Sequence, residues 1–165
     1  MTVHLRAVVV LATGVALAGC GGADDKVTVG HLTFTVPEGW EEQEADGDWD
    51  VKFVGDGMEL QVAGEFSEDP TASAAYSRLD LPAMVNLEGY QPDGIGKLEV
   101  EGADTALRAD FTYADAGEPR DGLWVVAGQY PYPSTAALAL SGPELDEEIV
   151  TELLASLTFT KDASR

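Results

Sequence analysis

The only cysteine of this 165-residue chain, Cys20, follows an apolar segment near the N-terminus. The segment covers residues 7–18 (AVVVLATGVALA), and the residues before it carry one fixed positive charge, Arg6. This arrangement is typical of an export signal. As a helix the segment would span roughly 18 Å, too short for the ~30 Å hydrocarbon core of a bilayer. Because a thiolate is a strong nucleophile, we expect the chemistry of Cys20 to concern export and attachment.

The four residues Leu17-Ala18-Gly19-Cys20 resemble the lipobox of bacterial lipoproteins, a Leu and two small residues before the modified cysteine. The resemblance implies a diacylglyceryl group bound to Cys20 through a thioether, with cleavage after Gly19. It leaves open whether the new amine is also acylated. Two or three acyl chains would hold the chain firmly on the extracytoplasmic face of the cell membrane. The alternative is a conventional signal followed by a chance cysteine, but such a signal would place a small residue where Leu17 stands.

From Cys20 onward the chain is long enough for one domain with a hydrophobic core. All 30 acidic residues lie in this part, and with only 9 basic residues in the chain the net charge is −21. Such a surface repels phosphate groups, which argues against nucleic-acid binding and against close contact with anionic lipid. It favours a basic or cationic partner. With Cys20 modified, no thiol remains for a disulfide, a metal ion or a nucleophile.

We predict a lipidated N-terminus and spacer over residues 20–30, one domain over residues 31–161 and a tail over residues 162–165. In several segments apolar and polar residues alternate with period two, which predicts half-buried antiparallel strands. Trp49 falls on the inward face of its strand. Two later segments are apolar on both faces, as in the middle of a sheet. The alternating segments are 32–36, 49–53, 58–62 and 107–113, and the fully apolar ones are 122–130 and 135–140.

Two helices are predicted. The first begins at Asp69-Pro70, Pro82 is expected to interrupt it, and residues 89–94 are expected to form a loop. The second follows Ser141-Gly142-Pro143 and has acidic residues opposite a wide apolar stripe. The stripes comprise Ala72, Ala75, Tyr76 and Leu79 in the first helix, and Leu145, Ile149, Val150, Leu153, Leu154 and Leu157 in the second. The pattern predicts an α+β fold, an antiparallel sheet of six or seven strands with helices packed on it.

Three segments resemble the PsbP-like superfamily, in particular its small bacterial lipoprotein members. They are LTFTVPEGW (32–40), VEGADTALRADFTY (100–113) and EEIVTELLASLTF (147–159). The resemblance implies the α+β sandwich shared by an extrinsic photosystem II protein and a nuclear import factor that binds the Ran GTPase. Members of this fold largely act by binding proteins. The matching motifs are structural, so the resemblance carries over no catalytic, metal-binding or GTPase-binding residue.

Few residues have the types and spacing of a catalytic or metal site. His31 is the single histidine after Cys20, and we expect it to be an exposed residue at a strand start. A Ser-His-Asp arrangement would have to bring it to a distant serine. Asp46, Asp48 and Asp50 open like a calcium loop, but Val51 and Gly57 stand where an EF-hand needs Gly and Glu. We therefore predict no metal, no cofactor and no enzymatic activity. A weak cation site near Asp46–Asp50 and a carboxylate pair for glycoside hydrolysis stay open.

Tyr130 and Tyr132 lie in QYPYP (129–133), a predicted turn between two central strands. Tyrosine beside rigid proline at a surface tip suits partner binding; the alternative is a merely stiffened hairpin. We predict a membrane-anchored extracytoplasmic lipoprotein that acts as a non-enzymatic binding or assembly module for an envelope or membrane-complex partner. The alternative function is a carrier of a small apolar or lipidic ligand between sheet and helices, in a cavity lined by Leu79, Val85 and Leu87.

Overall fold

The computed structural model describes residues 26–130 and 133–162. The order of strands and helices is β1 (Lys26–Val29), β2 (Leu32–Thr35), β3 (Glu41–Gln43), β4 (Val51–Gly55), β5 (Met58–Ser67), α1 (Ala72–Asn86), β6 (Glu88–Lys97), β7 (Thr105–Asp115), β8 (Glu118–Gln129), β9 (Ser134–Gly142), α2 (Glu147–Ser156) and β10 (Thr158–Phe159). A seven-stranded antiparallel sheet has the order β3-β4-β5-β9-β8-β7-β6, and a second sheet has the order β1-β2-β10. The predicted α+β fold is confirmed.

Short turns fix the register of the long strands. Asp56 and Gly57 join β4 to β5 with φ angles of 50° and 77°, and Ala116 and Gly117 join β7 to β8 with φ angles of 52° and 85°. Two central residues with positive φ form the turn whose twist matches that of a β-hairpin. In the strand order β8 and β9 are inner strands, and their apolar residues are covered on both faces.

The main core lies between the two sheets. Leu32 and Phe34 of β2 face Leu60 of β5 and Leu138 of β9, and all four are fully buried. The helix α2 closes this core with side chains of its apolar stripe, Val150, Leu153 and Leu157. Burial of one such side chain stabilises the fold by roughly 1.5–3 kcal/mol. The other helix, α1, packs on the opposite face of the large sheet, against β7 and β8.

The two sheets meet at a pair of glycines. The N–H of His31 donates to the carbonyl oxygen of Gly64 at 3.1 Å. A Cβ atom on Gly64 would lie 2.2 Å from the carbonyl oxygen of Val29, and Gly30 has a φ of +51°. Such a distance is a severe clash, so only glycine fits where the β1–β2 turn contacts β5.

Several predicted boundaries differ from the structure. The first strand, Lys26–Val29, lies inside the predicted spacer, because its valines pair with β2 and pack on the core. Residues 89–94 belong to β6, an edge strand, and not to a loop. Pro92 is compatible with this position because an edge strand has one side without a partner. Trp49 precedes β4 and packs on the α1 side of the sheet, opposite to the predicted face.

The helix starts also differ from the prediction. The N-cap of α1 is Thr71, two residues after the predicted start at Asp69, and the N-cap of α2 is Asp146. Both side chains accept hydrogen bonds from free N–H groups of the first helical turn. The helix α1 continues through Pro82. Pro82 is exposed, so water can reach the carbonyl group that its missing N–H leaves without a donor.

Candidate functional site

The inner face of α1 is built from small residues. Ala72 and Ala75 are buried against Ala109 and Val126 of the large sheet. Ala83 is buried further along the helix, with Phe111 and Trp124. Alanine side chains let the helix backbone approach the strands closely, and they match the predicted stripe at its N-terminal end. The hydroxyl oxygen of Thr71 accepts a hydrogen bond from the N–H of Ala74 at 3.1 Å.

The outer face of α1 is also apolar. Leu81, Met84 and Val85 are exposed by 61%, 62% and 83%. Their spacing of three and four residues places them together on one side of the helix. We call these three residues the outer patch. A surface helix with apolar residues on both sides is unusual because only one side packs on its own core.

An aromatic cluster holds the C-terminal half of α1 on the sheet. One carboxylate oxygen of Asp80 accepts hydrogen bonds from the hydroxyl groups of Tyr76 at 3.0 Å and of Tyr90 at 2.6 Å. The ring of Tyr90 contacts those of Phe111 and Trp124 at centroid distances of 5.6 and 5.9 Å. Burial, followed by the hydrogen bond to Asp80, raises the pKa of Tyr90 far above its usual value. These contacts fix the direction in which the outer patch points.

A groove runs between α1 and the uncovered half of the large sheet. It has a volume of about 280 Å³ and is open to solvent. Leu79 and Leu87 line it, as the predicted carrier cavity requires, whereas Val85 lies on the outer patch and does not. Its other walls include Trp49, Tyr113 and Trp124. Most of the residues that line the groove are therefore aromatic or aliphatic.

The predicted contact at the β8–β9 turn is described only in part. Tyr130 is 66% exposed, and its backbone N–H donates to a carboxylate oxygen of Asp104 at 2.9 Å. Asp104 also accepts a hydrogen bond from Lys161. The bond from Lys161, with that from Tyr130, lowers the pKa of Asp104. Tyr132 lies outside the described residues, so the contact stays a prediction.

The expectation for His31 is wrong, because this residue is buried. Its ring stacks on that of Phe159 at a centroid distance of 5.1 Å. Nδ1 lies 2.8 Å from the carbonyl oxygen of Thr160, and Nε2 lies 2.6 Å from Oγ of Ser134. A carboxylate oxygen of Asp162 is 3.8 Å from Nε2. His31 and Ser134 are 103 positions apart, and no sequence pattern connects them.

Two carboxylates of the acidic segment before β4 accept hydrogen bonds from other residues of the domain. Asp46 accepts a hydrogen bond from Lys52 at 2.7 Å, and Asp50 accepts one from the N–H of Gly64, also at 2.7 Å. The hydrogen bond to Asp46 raises the pKa of Lys52, and a hydrogen bond to Glu59 adds a smaller contribution. Among residues 26–130 and 133–162, no three His, Cys, Asp or Glu side chains are close enough together to hold a metal ion.

The predicted lipid attachment at Cys20, with cleavage after Gly19, lies outside the described residues. In the part of the chain that the structure covers, neither helix has the length and hydropathy needed to span a membrane. The anchor therefore stays a prediction from the resemblance at residues 17–20.

No known family model matches the sequence, and no curated protein is similar to it. Solved structures do share its fold. The Ran-binding protein Mog1p of Saccharomyces cerevisiae superposes with a TM-score of 0.52 at 8% identity, over 83% of this chain and 96% of its own. At this identity the likeness shows a common fold and nothing more.

Two bacterial structures superpose more loosely. LpqN, which is involved in cell envelope biogenesis in Mycobacterium tuberculosis, gives a TM-score of 0.46 at 15% identity, over 79% of this chain and 83% of LpqN. PA94 of Pseudomonas aeruginosa gives 0.39 at 16% identity, over 68% of this chain and 83% of its own. The structural neighbours thus include a binding protein and an envelope protein.

Proposed function

We propose that this chain is a membrane-anchored, extracytoplasmic binding module that contacts a protein partner through the outer patch of α1. The observation that carries the proposal is the exposure of Leu81, Met84 and Val85 by 61–83% on one helix face. The buried residues of the same helix already pack on the large sheet. The outer patch takes no part in that packing.

Covering the outer patch would release apolar surface from water. Full burial of one large aliphatic side chain contributes roughly 1.5–3 kcal/mol, so three such residues can form the centre of an interface. Most of this energy offsets the cost of association, and the surplus determines affinity. A patch of this size therefore suits a specific but reversible complex.

The charge of the chain limits the chemistry of the partner. The net charge of −21 favours a partner whose apolar contact is flanked by Lys or Arg. Mog1p, which shares the fold, binds Ran. We extend to this chain only protein binding as a mode of action, without a GTPase as the partner.

The proposed anchor would place the domain next to the membrane. If Cys20 is lipidated, only residues 21–25 separate it from β1. Even fully extended, these residues span no more than roughly 20 Å. A partner would then be a membrane complex or an envelope component within that reach. Labelling with a clickable fatty acid tests the anchor, because Cys20→Ala should lose the label and either leave the membrane fraction or keep its uncleaved signal. A variant that keeps the label would disprove the assignment.

Site-specific photocrosslinking in intact cells tests the binding surface. A benzophenone amino acid in place of Val85 should capture a protein that mass spectrometry can identify. The matched control is the same substitution at Thr151, an exposed position of α2. Capture of the same protein from both positions, or from neither, would contradict the proposal. A second variant adds Leu81→Gln to the protein that carries the benzophenone amino acid at position 85. It should reduce the yield of the crosslinked product without lowering the melting temperature.

The Tyr130–Pro133 turn is a second contact that we propose. Tyrosine in a stiff turn offers a large contact area at a small entropy cost. Replacing Tyr132 by Ala should weaken capture by the Val85 probe and leave thermal stability nearly unchanged. A normal yield from this variant would restrict the interface to α1.

The groove beside α1 supports the alternative function, a carrier of a small apolar ligand. Its volume of about 280 Å³ and its wall of Trp49 and Trp124 suit a short acyl chain or a flat ring. Titration with a medium-chain fatty acid should quench tryptophan fluorescence. Ala139 forms part of the groove wall, so Ala139→Phe should abolish that signal. If the fluorescence of neither the unmutated protein nor the Ala139→Phe variant changes, the carrier function is excluded for this ligand class.

A further inference from the structure

A second site lies around the buried His31. The residues lining a solvent-open pocket of about 530 Å³ include His31, Ser134, Asp162, Glu65 and Glu68. It contains one imidazole, one serine hydroxyl that bonds to it, and carboxylates on its rim. None of these groups belongs to the outer patch, whereas Pro133 of the proposed second contact also lines the pocket.

The hydrogen bonds of His31 determine its tautomer. A carbonyl oxygen can only accept, so the bond of 2.8 Å to Thr160 requires a hydrogen on Nδ1. In the neutral ring Nε2 is then an acceptor, and Oγ of Ser134 at 2.6 Å must donate its hydrogen to it. The ring cannot turn away, because it stacks on Phe159. A hydroxyl, a base and a third group that orients the base are therefore in the order that activates a serine.

We propose that Ser134 is a nucleophile with His31 as its general base, and that the pair accepts acyl groups from esters or thioesters that carry a positive charge. The positioning residue is Thr160, whose backbone carbonyl takes the place of the carboxylate in a common triad. Asp162, at 3.8 Å from Nε2, would stabilise the imidazolium that forms. The carboxylates of Glu65 and Glu68 give the pocket its preference for cations.

The proposed reaction has two steps. Oγ of Ser134 attacks the acyl carbon while its proton moves to Nε2 of His31, and the bond from that carbon to the leaving oxygen or sulfur breaks. The imidazolium returns the proton to the leaving group. Water then attacks the acyl-serine with His31 as the base, which releases the acid and restores the hydroxyl. No oxidant, metal ion or cofactor takes part.

A fluorophosphonate probe tests the nucleophile directly. Its phosphorus reacts with an activated serine, fluoride leaves, and peptide mapping of the unmutated protein locates the label without any variant. We expect the label on Ser134 and not on the exposed Ser73 of α1. No label, or equal label on both serines, would overturn the proposal.

Two variants separate activation from mere accessibility. The change His31→Asn keeps a donor for the carbonyl of Thr160 and removes the base, so the labelling rate should fall by roughly 100-fold or more. The change Ser73→Ala removes an exposed hydroxyl of α1 outside the pocket and should leave the rate unchanged. Circular dichroism melting checks that both variants fold. A folded His31→Asn protein that is labelled at the normal rate would refute the role of His31 as base.

Acyl substrates test the preference for charge. Acetylthiocholine should be hydrolysed faster than a neutral thioester with the same acetyl group, and the difference should shrink in high salt. Equal rates at low salt would overturn the cationic substrate class. Labelling of Ser134 with no turnover of either thioester would overturn the hydrolytic second step.

Discussion

The two helices of this domain distribute their apolar residues differently. In α2, Val150 and Leu153 are buried in the core and the outward residues Glu148 and Glu152 are charged. In α1 the buried residues are alanines, and the large side chains Leu81, Met84 and Val85 point to solvent. A helix that only supports the fold has no need for such residues on its outer side. The difference supports the proposal that α1 contacts a partner, whereas α2 packs on the core alone.

Deleting one large side chain from each helix should give the greatest contrast in stability. Leu153 is 2% exposed, so Leu153→Ala should lower the free energy of unfolding by about 2–5 kcal/mol. Leu81→Ala should change the free energy of unfolding by less than about 0.5 kcal/mol, because this exposed side chain makes few contacts with the rest of the domain. Urea denaturation of both variants measures the difference. Similar losses would mean that the outer patch is structural.

A smaller loss is expected when the polar attachment of α1 is cut. Asp80 accepts hydrogen bonds from two partly buried tyrosines, so Asp80→Ala leaves both hydroxyls without this acceptor. An unsatisfied buried group costs about 1–3 kcal/mol. Tyr90→Phe removes one of the donors and should cost less than Asp80→Ala. If neither variant lowers the stability, ring packing and not the carboxylate holds the helix.

The N-caps allow a direct comparison of the two helices. Asp146 accepts hydrogen bonds from Glu148 and Ile149 at 2.8 and 3.2 Å, whereas Thr71 accepts one from Ala74 at 3.1 Å. Replacing an N-cap by Ala costs about 0.5–2 kcal/mol. We expect Asp146→Ala to lie in the upper part of this range and Thr71→Ala in the lower part. Thermal melts at neutral pH provide the measurement, and the reverse order would show that side-chain bonds do not set the cost.

The smallest effect concerns acid. The hydrogen bond from Arg78, with a second from Ser67, holds the pKa of Asp69 below its usual value. This stabilisation is present above the unfolded pKa of Asp69 and is lost as the pH falls through the lower folded pKa. The arginine side chain is 60% exposed, so Asp69→Asn should cost under about 1 kcal/mol at neutral pH. The difference from the unmutated protein should vanish in strong acid; a constant difference would assign it to another cause.

The parts of the fold that could be predicted are those where burial leaves a local pattern. The alternation in β2, β5 and β7, and the apolar runs of β8 and β9, identify strands because each segment has its own inward face. The stripe of α2 is equally clear. The edge strand β6 was missed because it contains Gly and Pro and buries almost no side chain. Its partner β7, and not its own sequence, makes it a strand.

The candidate sites could be predicted less well. The outer patch has the same residue types as a core stripe, so only the position of α1 on the sheet shows that it faces solvent. The bond between His31 and Ser134 depends on how two sheets are packed, and it joins residues 103 positions apart. The strand β1, within the predicted spacer, was missed for a related reason, since it becomes a strand only by pairing with β2.

The contact between Gly30 and Gly64 bears on how the domain opens. Two bare backbones, joined by the N–H of His31, leave no flexible side chain that could absorb a relative shift of the sheets. Sliding of one sheet over the other would break this bond. The small sheet should therefore not detach alone, although it has only three strands. Its protected amides should exchange with deuterium at the same rate as those of β8 and β9, through unfolding of the whole domain.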